Sequence, residues 1–163
     1  MIDKKMEDAL NQQITEELAS AYLYQAMSAD FAAKNRPGMS AWMQSQAGEE
    51  MNHARKIYGY ILERGGTIEL KALSAPQKSW DSPLAAFQGA YKHEQFITDC
   101  IQKLVKLARE LDDTATELFL GWYVTEQVEE EASTDEVVQK LLQVKESPQA
   151  LYMLDKELGA RQA

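Results

Sequence analysis

Gly48–Lys56 reads GEEMNHARK and lies in the middle of a stretch with helical periodicity. Glu50 and His53 are three positions apart, so on a helix they stand on one face, about one turn from each other. A hard carboxylate oxygen and an imidazole nitrogen brought together in this way suit a divalent cation. The four-residue pattern alone is common in long helices, so its weight comes from its spacing to other carboxylates. Glu17 lies 33 positions before Glu50, Glu94 lies 33 positions before Gln127, and Glu130 follows Gln127 by three. The set Glu17, Glu50, His53 therefore recurs 77 positions later as Glu94, Gln127, Glu130. One helical hairpin is used twice.

The apolar periodicity around that stretch sets the elements. Asp3–Asn35 is expected to be a first helix, with Leu10, Glu17, Tyr24 and Phe31 at intervals of seven and Met6, Ile14 and Ala21 flanking the same stripe. Asn35-Arg-Pro-Gly38 reads as a tight turn and Met39–Arg64 as the second helix, closed by Gly65-Gly66. Thr67–Asp81 has no helical period and contains Pro76. Fifteen extended residues reach roughly 50 Å, and a helix of 26 residues is roughly 39 Å long. The segment can therefore run the whole length of a bundle and leave the second and third helices parallel. Ser82-Pro83 opens a third helix that continues to about Glu110. Thr114–Lys145 is the fourth, and Ser147-Pro148 begins a short fifth reaching about Leu158. The expected fold is all-α: a four-helix bundle with a long crossover between the second and third helices, plus a short C-terminal helix. Residues 1–163 are expected to form a single domain of this kind.

Composition narrows the function. Hydrophobic residues make up 45% and charged residues 26% of the chain, a globular profile. No apolar run approaches the length of a membrane span, and the charged start MIDKKMEDAL lacks an export core. A single cysteine, Cys100, fits a reducing, cytoplasmic setting and a place in the core or at an interface. The net charge of −9 disfavours nucleic acid and attracts cations.

Glu17, Glu50, Glu94 and Glu130 each interrupt an otherwise apolar helical series. Four ionised carboxylates in one core exceed a domain's net stability unless cations or protons neutralise them. Their helical positions bring them level. Glu17 lies 19 positions before Arg36, with Glu50 and His53 14 and 17 after it, and Glu94, Gln127 and Glu130 are disposed likewise about Asp113. In two antiparallel hairpins both sets meet mid-bundle, where a pair of divalent metals bridged by a carboxylate offsets the charge.

Nearly the whole chain resembles the bacterial non-haem ferritins, through LYQAMS (Leu23–Ser28), EEMNHARK (Glu49–Lys56), YKHEQ (Tyr91–Gln95), WYVTEQVEEE (Trp122–Glu131) and LYMLDKEL (Leu151–Leu158). The ferritin-like di-metal rule takes a Glu from each of two helices and Glu-x-x-His from each of the others. Glu50 and His53 satisfy one half of it. Gln127 and Glu130 depart from the other half, which separates this chain from bacterioferritins and makes the two metal positions unequal. The resemblance implies a first position at Glu17, Glu50 and His53. It implies a second at Glu94, Glu130 and the bridging Glu50, with Gln127 giving a neutral contact or a hydrogen bond.

The same resemblance implies a third iron position from Glu49, Glu126, Glu129 and Glu130, against the plain reading of Glu129-Glu130-Glu131 as a solvated acidic run. Tyr24 has two readings as well: a partner or electron donor to the site, or a core tyrosine with a satisfied hydroxyl. Trp122 reads as packing and His93 as a non-ligand. Met51 stands where bacterioferritins ligate haem but reads as packing, so no haem is expected. The resemblance implies a ferroxidase and iron store. It would take Fe(II), with O2 or H2O2, at an intrasubunit di-iron centre and keep Fe(III) oxo-hydroxide inside a homo-oligomeric shell of 24 subunits, with no nucleic-acid or membrane partner. The competing readings are a di-iron oxygenase or peroxidase without storage, a haem-binding store of bacterioferritin type, and a helical assembly module without metal.

Overall fold

Four of the five helices begin on a side chain suited to stop their first amides from going unpaired. Asp3 accepts from the amide of Lys5 ahead of Lys4–Ala33 (α1), Ser82 from Ala85 ahead of Pro83–Glu110 (α3), Asp113 from Thr116 ahead of Thr114–Val144 (α4), and Ser147 from Ala150 ahead of Pro148–Gly159 (α5). Pro37–Glu63 (α2) differs, because its own cap residue Arg36 makes no such bond. The computed structural model describes residues 1–160, and no described helix is long and apolar enough to cross a membrane.

Contacts between the helices establish the directions. Ile2 N–H donates to Arg64 O at 3.0 Å and Ser28 Oγ to Ser40 O at 2.9 Å, so α1 and α2 run antiparallel. Phe31 meets Phe87 at 5.8 Å between ring centroids, and Tyr24 reaches Glu94, so α3 runs against α1. Gln46 reaches Glu130 at 2.7 Å and Tyr60 reaches Thr116 at 2.9 Å, so α4 runs against α2. The second and third helices are thereby parallel, as the crossover length allows. The crossover follows α1 from end to end: Thr67 N–H donates to Glu7 and Glu69 N–H to Asn11, while Trp80 N–H reaches Asp30.

Two apolar clusters fill the bundle, with a polar layer between them. Met27, Phe31, Trp42, Met43, Phe87 and Leu141 pack one end; Leu10, Ile14, Ile57, Ile61, Ile101 and Leu120 pack the other. Glu17 falls on α1 between Ile14 and Tyr24, and Glu94 on α3 between Ala90 and Ile97, so the carboxylates sit where both clusters exclude water.

The turn before α2 is shorter than the reading Asn35–Gly38, since Pro37 and Gly38 are already helical. Proline at the first helical position is preset for the helix, and the missing cap comes from far along the chain. The Asp155 carboxylate on α5 accepts from Gly38 N–H at 3.1 Å and from Met39 N–H at 2.8 Å. Gly38 permits that approach, because a Cβ there would stand 1.6 Å from the Asp155 carbonyl oxygen. Gly38→Ala is expected to undock α5 or push α2 aside, costing about 3 kcal/mol; denaturant unfolding measures it, and an unchanged midpoint would contradict the close crossing.

Candidate metal centre

The five residues expected at the centre are all interior, none more than 4% exposed: Glu17, Glu50, His53, Glu94 and Glu130. Their ligand atoms form three groups, each with its atoms within 4.8 Å of one another. The first is Glu17, Glu50 and His53; the second is Glu50, Glu94 and Glu130; the third is His53, Glu126 and Glu130. Glu50 belongs to the first and second, Glu130 to the second and third, and His53 to the first and third.

Three of the four carboxylates are oriented from outside by neutral donors. Gln13 donates to Glu17 Oε1 at 2.9 Å and Gln46 to Glu130 Oε2 at 2.7 Å. Tyr24 donates to Glu94 Oε1, and Gln127 Nε2 donates to Glu94 Oε2 and to its main-chain oxygen, both at 3.2 Å. Glu50 Oε2 lies 3.2 Å from His53 Nδ1. Among the described residues, Glu17 Oε2 and Glu50 Oε1 are the buried side-chain oxygens without a hydrogen-bond partner. Two carboxylates cannot hydrogen bond to each other while both are ionised, so a proton or a cation must satisfy this pair.

The electrostatics agree. Burial, and then the neighbouring Glu50, push Glu17 well above the usual carboxylate range; burial, and then Glu94 and Glu130, do the same to Glu50. Glu94 is pushed up to about 7 by burial, against the lowering effect of its bonds from Tyr24 and Gln127. Glu130 is also pushed up to about 7, by burial and by Glu94. Without a cation the cluster holds protons near neutrality, and a cation displaces them. The donor set of hard oxygens with one imidazole fits an iron-type divalent ion.

His53 is held firmly. Tyr123 donates to its main-chain oxygen at 2.7 Å, the Tyr123 ring packs edge-on against its imidazole at 6.1 Å, and the Trp122 ring does so at 5.5 Å. Lys56 Nζ stands 3.9 Å from the centre of the Trp122 ring, a cation–π contact on the outer side of this tryptophan.

Residues 7–144 match the family model described as a ferritin-like domain. The chain belongs to the ferritin family. It is 38% identical over 161 residues to the bacterial non-heme ferritin of Staphylococcus aureus (strain USA300), covering 99% of this chain and 97% of that protein. It is 35% identical over 161 residues to that of Bacteroides fragilis (strain 638R), covering 99% of this chain and 100% of the relative. Among solved structures, an open-pore ferritin from the hyperthermophilic archaeon Archaeoglobus fulgidus superposes with a TM-score of 0.98 at 48% identity, covering 99% of this chain and 100% of the other. These relatives agree with the non-haem ferritin resemblance of the motifs.

Within this ferritin bundle the expected residues part company at the third cluster. Glu126 is half-buried, with a carboxylate oxygen 3.6 Å from His53 Nε2. Glu129 is exposed and Glu49 half-buried, and neither joins the three groups of ligand atoms. Gln127 serves as a hydrogen-bond donor to Glu94, the neutral contact expected of it. His93 lies outside the groups, with Nε2 2.7 Å from Ser20 Oγ. Met51 is half-buried at a surface groove lined by Tyr22, Ala47 and Leu73. Gln13 and Gln46 went unassigned in the sequence, although a signal existed. Gln13 is one turn before Glu17, and Gln46 shares the seven-residue series of His53, so each is a polar residue on a core-facing stripe.

Proposed function

We propose that the chain is a ferroxidase and iron-storage protein. The observation that carries this reading is the pair of unpartnered buried oxygens on Glu17 and Glu50, inside a set whose second half shares Glu50. Fe(II) is the substrate. One ion is taken by Glu17, Glu50 and His53, and a second by Glu50, Glu94 and Glu130, with Glu50 between them. Each Fe(II) gives up one electron, and O2 accepts two electrons and two protons to leave as H2O2. The resulting Fe(III) is a strong Lewis acid that hydrolyses water and departs as oxo-hydroxide. Glu94 and Glu130 are still partly protonated near pH 7 in the cation-free chain, so binding the second ion releases protons there. The Tyr24 hydroxyl donates to Glu94 and so orients a ligand of the second position.

His53, Glu126 and Glu130 form a third position on the way out of the pair, with Glu49 and Glu129 flanking it on the same two helices. The mineral is kept in a hollow homo-oligomer of 24 subunits, an assembly that follows from the family resemblance. On anaerobic addition, about two Fe(II) per chain are expected to bind before any weaker class. Admitting air should then consume about one O2 for each such pair, and the Fe(III) should sediment with the assembled protein. Absence of Fe(II)-dependent O2 uptake in an oxygen electrode would falsify the reading.

A further inference from the structure

Three glutamines donate to carboxylates of the metal centre, and they are not held alike. Gln46 bonds Glu130 at 2.7 Å and Gln13 bonds Glu17 at 2.9 Å. Gln127 spreads its amide over three acceptors, Glu94 O and Oε2 at 3.2 Å and Thr98 Oγ1 at 3.4 Å. Those distances stand at or past the outer edge of an N–H···O bond. Gln127 is therefore the loosest of the three and the one that can swing aside.

Gln127 also lines a cavity of about 250 Å³ between α3 and α4. Ile101, Val124 and Val128 make its apolar walls, and its polar part is Thr98 donating to Glu131. A cation would find a single carboxylate there, and Glu131 belongs to none of the groups of ligand atoms. A small apolar molecule gains by leaving water for such walls, as a dry apolar cavity takes up xenon. O2 is the apolar reactant of the proposed oxidation, and the cavity ends one side chain from Glu94, a ligand of the second position. We propose that this cleft is the route by which O2 reaches the metal pair, with Gln127 as its inner gate. The route rests on the ferroxidase reading above. It enters from the α3 side of α4, whereas the group of His53, Glu126 and Glu130 joins α4 to α2.

Crystals of the assembled protein under xenon pressure read the cleft without turnover, and a xenon atom is expected between Ile101, Val124 and Val128. Val124 is 43% exposed, so a larger side chain there has room at the surface while it fills the cleft. Val124→Phe should lose the xenon and raise the KM for O2 of the fast phase about tenfold, with kcat at saturating O2 and anaerobic Co(II) binding unchanged. Val124→Ala should keep the xenon and leave that KM at or below the wild-type value. A wild-type cleft without xenon overturns the route, and so does a KM for O2 in Val124→Phe within about twofold of wild type. A fall in kcat or in Co(II) binding with the KM unmoved marks a packing fault and overturns it as well. Wild-type protein that takes up no O2 with Fe(II) overturns the ferroxidase reading, whatever the xenon shows, and the route with it.

Discussion

Glu50→Ala is expected to abolish the fast, paired phase of Fe(II) oxidation, lowering its rate by more than about a hundredfold. Glu50 is the carboxylate common to the first and second groups, and its Oε1 is one of the two buried oxygens without a hydrogen-bond partner. Removing it takes a ligand from both positions at once. Glu17 and Glu94 serve one group each, so their loss should leave a single ion bound. The same change should leave the cation-free fold at least as stable, because a buried carboxylate raised well above its usual range is an unfavourable resident. Stopped-flow absorbance at the iron-to-ligand band, with thermal unfolding of the same sample, reads both. A variant that keeps wild-type fast kinetics removes Glu50 from the pair.

Cation-free protein should lose stability as pH rises, the reverse of most acidic proteins. Glu94 and Glu130 have an ordinary value of 4.5, which the unfolded chain regains, and they are pushed up to about 7 when folded. The folded chain therefore holds more protons between those limits. Their contribution is complete below about 4.5 and is lost as pH climbs through 7. Glu17 and Glu50, raised further, extend the decline toward alkaline pH. Glu7 works in the other sense, lowered by its bonds from Lys4 and the Thr67 amide, but its effect belongs to pH below the ordinary value of 4.5. Melting should thus occur at a lower temperature at pH 8 than at pH 5. Zn(II) at about a hundred times its dissociation constant should restore about 2.7 kcal/mol per site at pH 8, since the cation takes over the role of the protons. A cation-free melting temperature that rises from pH 5 to pH 8 would count against buried, protonated carboxylates.

Much of the site was legible because burying a charge is costly wherever it happens. Glu17, Glu50, Glu94 and Glu130 stand on stripes that otherwise hold leucine, isoleucine, tyrosine and phenylalanine, and all four prove to be interior. The helix ends were legible to within two residues, and the two-residue shift at the start of α2 has a cause invisible locally. Its cap is Asp155, more than a hundred residues away in the chain. Glu126 and Glu129 differ by three positions and look alike on a helical projection. In the packed bundle Glu126 comes within 3.6 Å of His53 while Glu129 is left to solvent.

Residue order by itself determined the bundle, the crossover and the level at which the acids meet. Apolar period, turn residues and helix length are properties of the chain, and a twice-used spacing keeps two hairpins in step. The tertiary structure alone decided which oxygen each glutamine or tyrosine occupies, which residues are shared between neighbouring positions, and which acid of the third cluster comes near. Those outcomes depend on distances of a few ångströms between different helices, and such distances follow from how side chains interlock rather than from how far apart they lie along the chain.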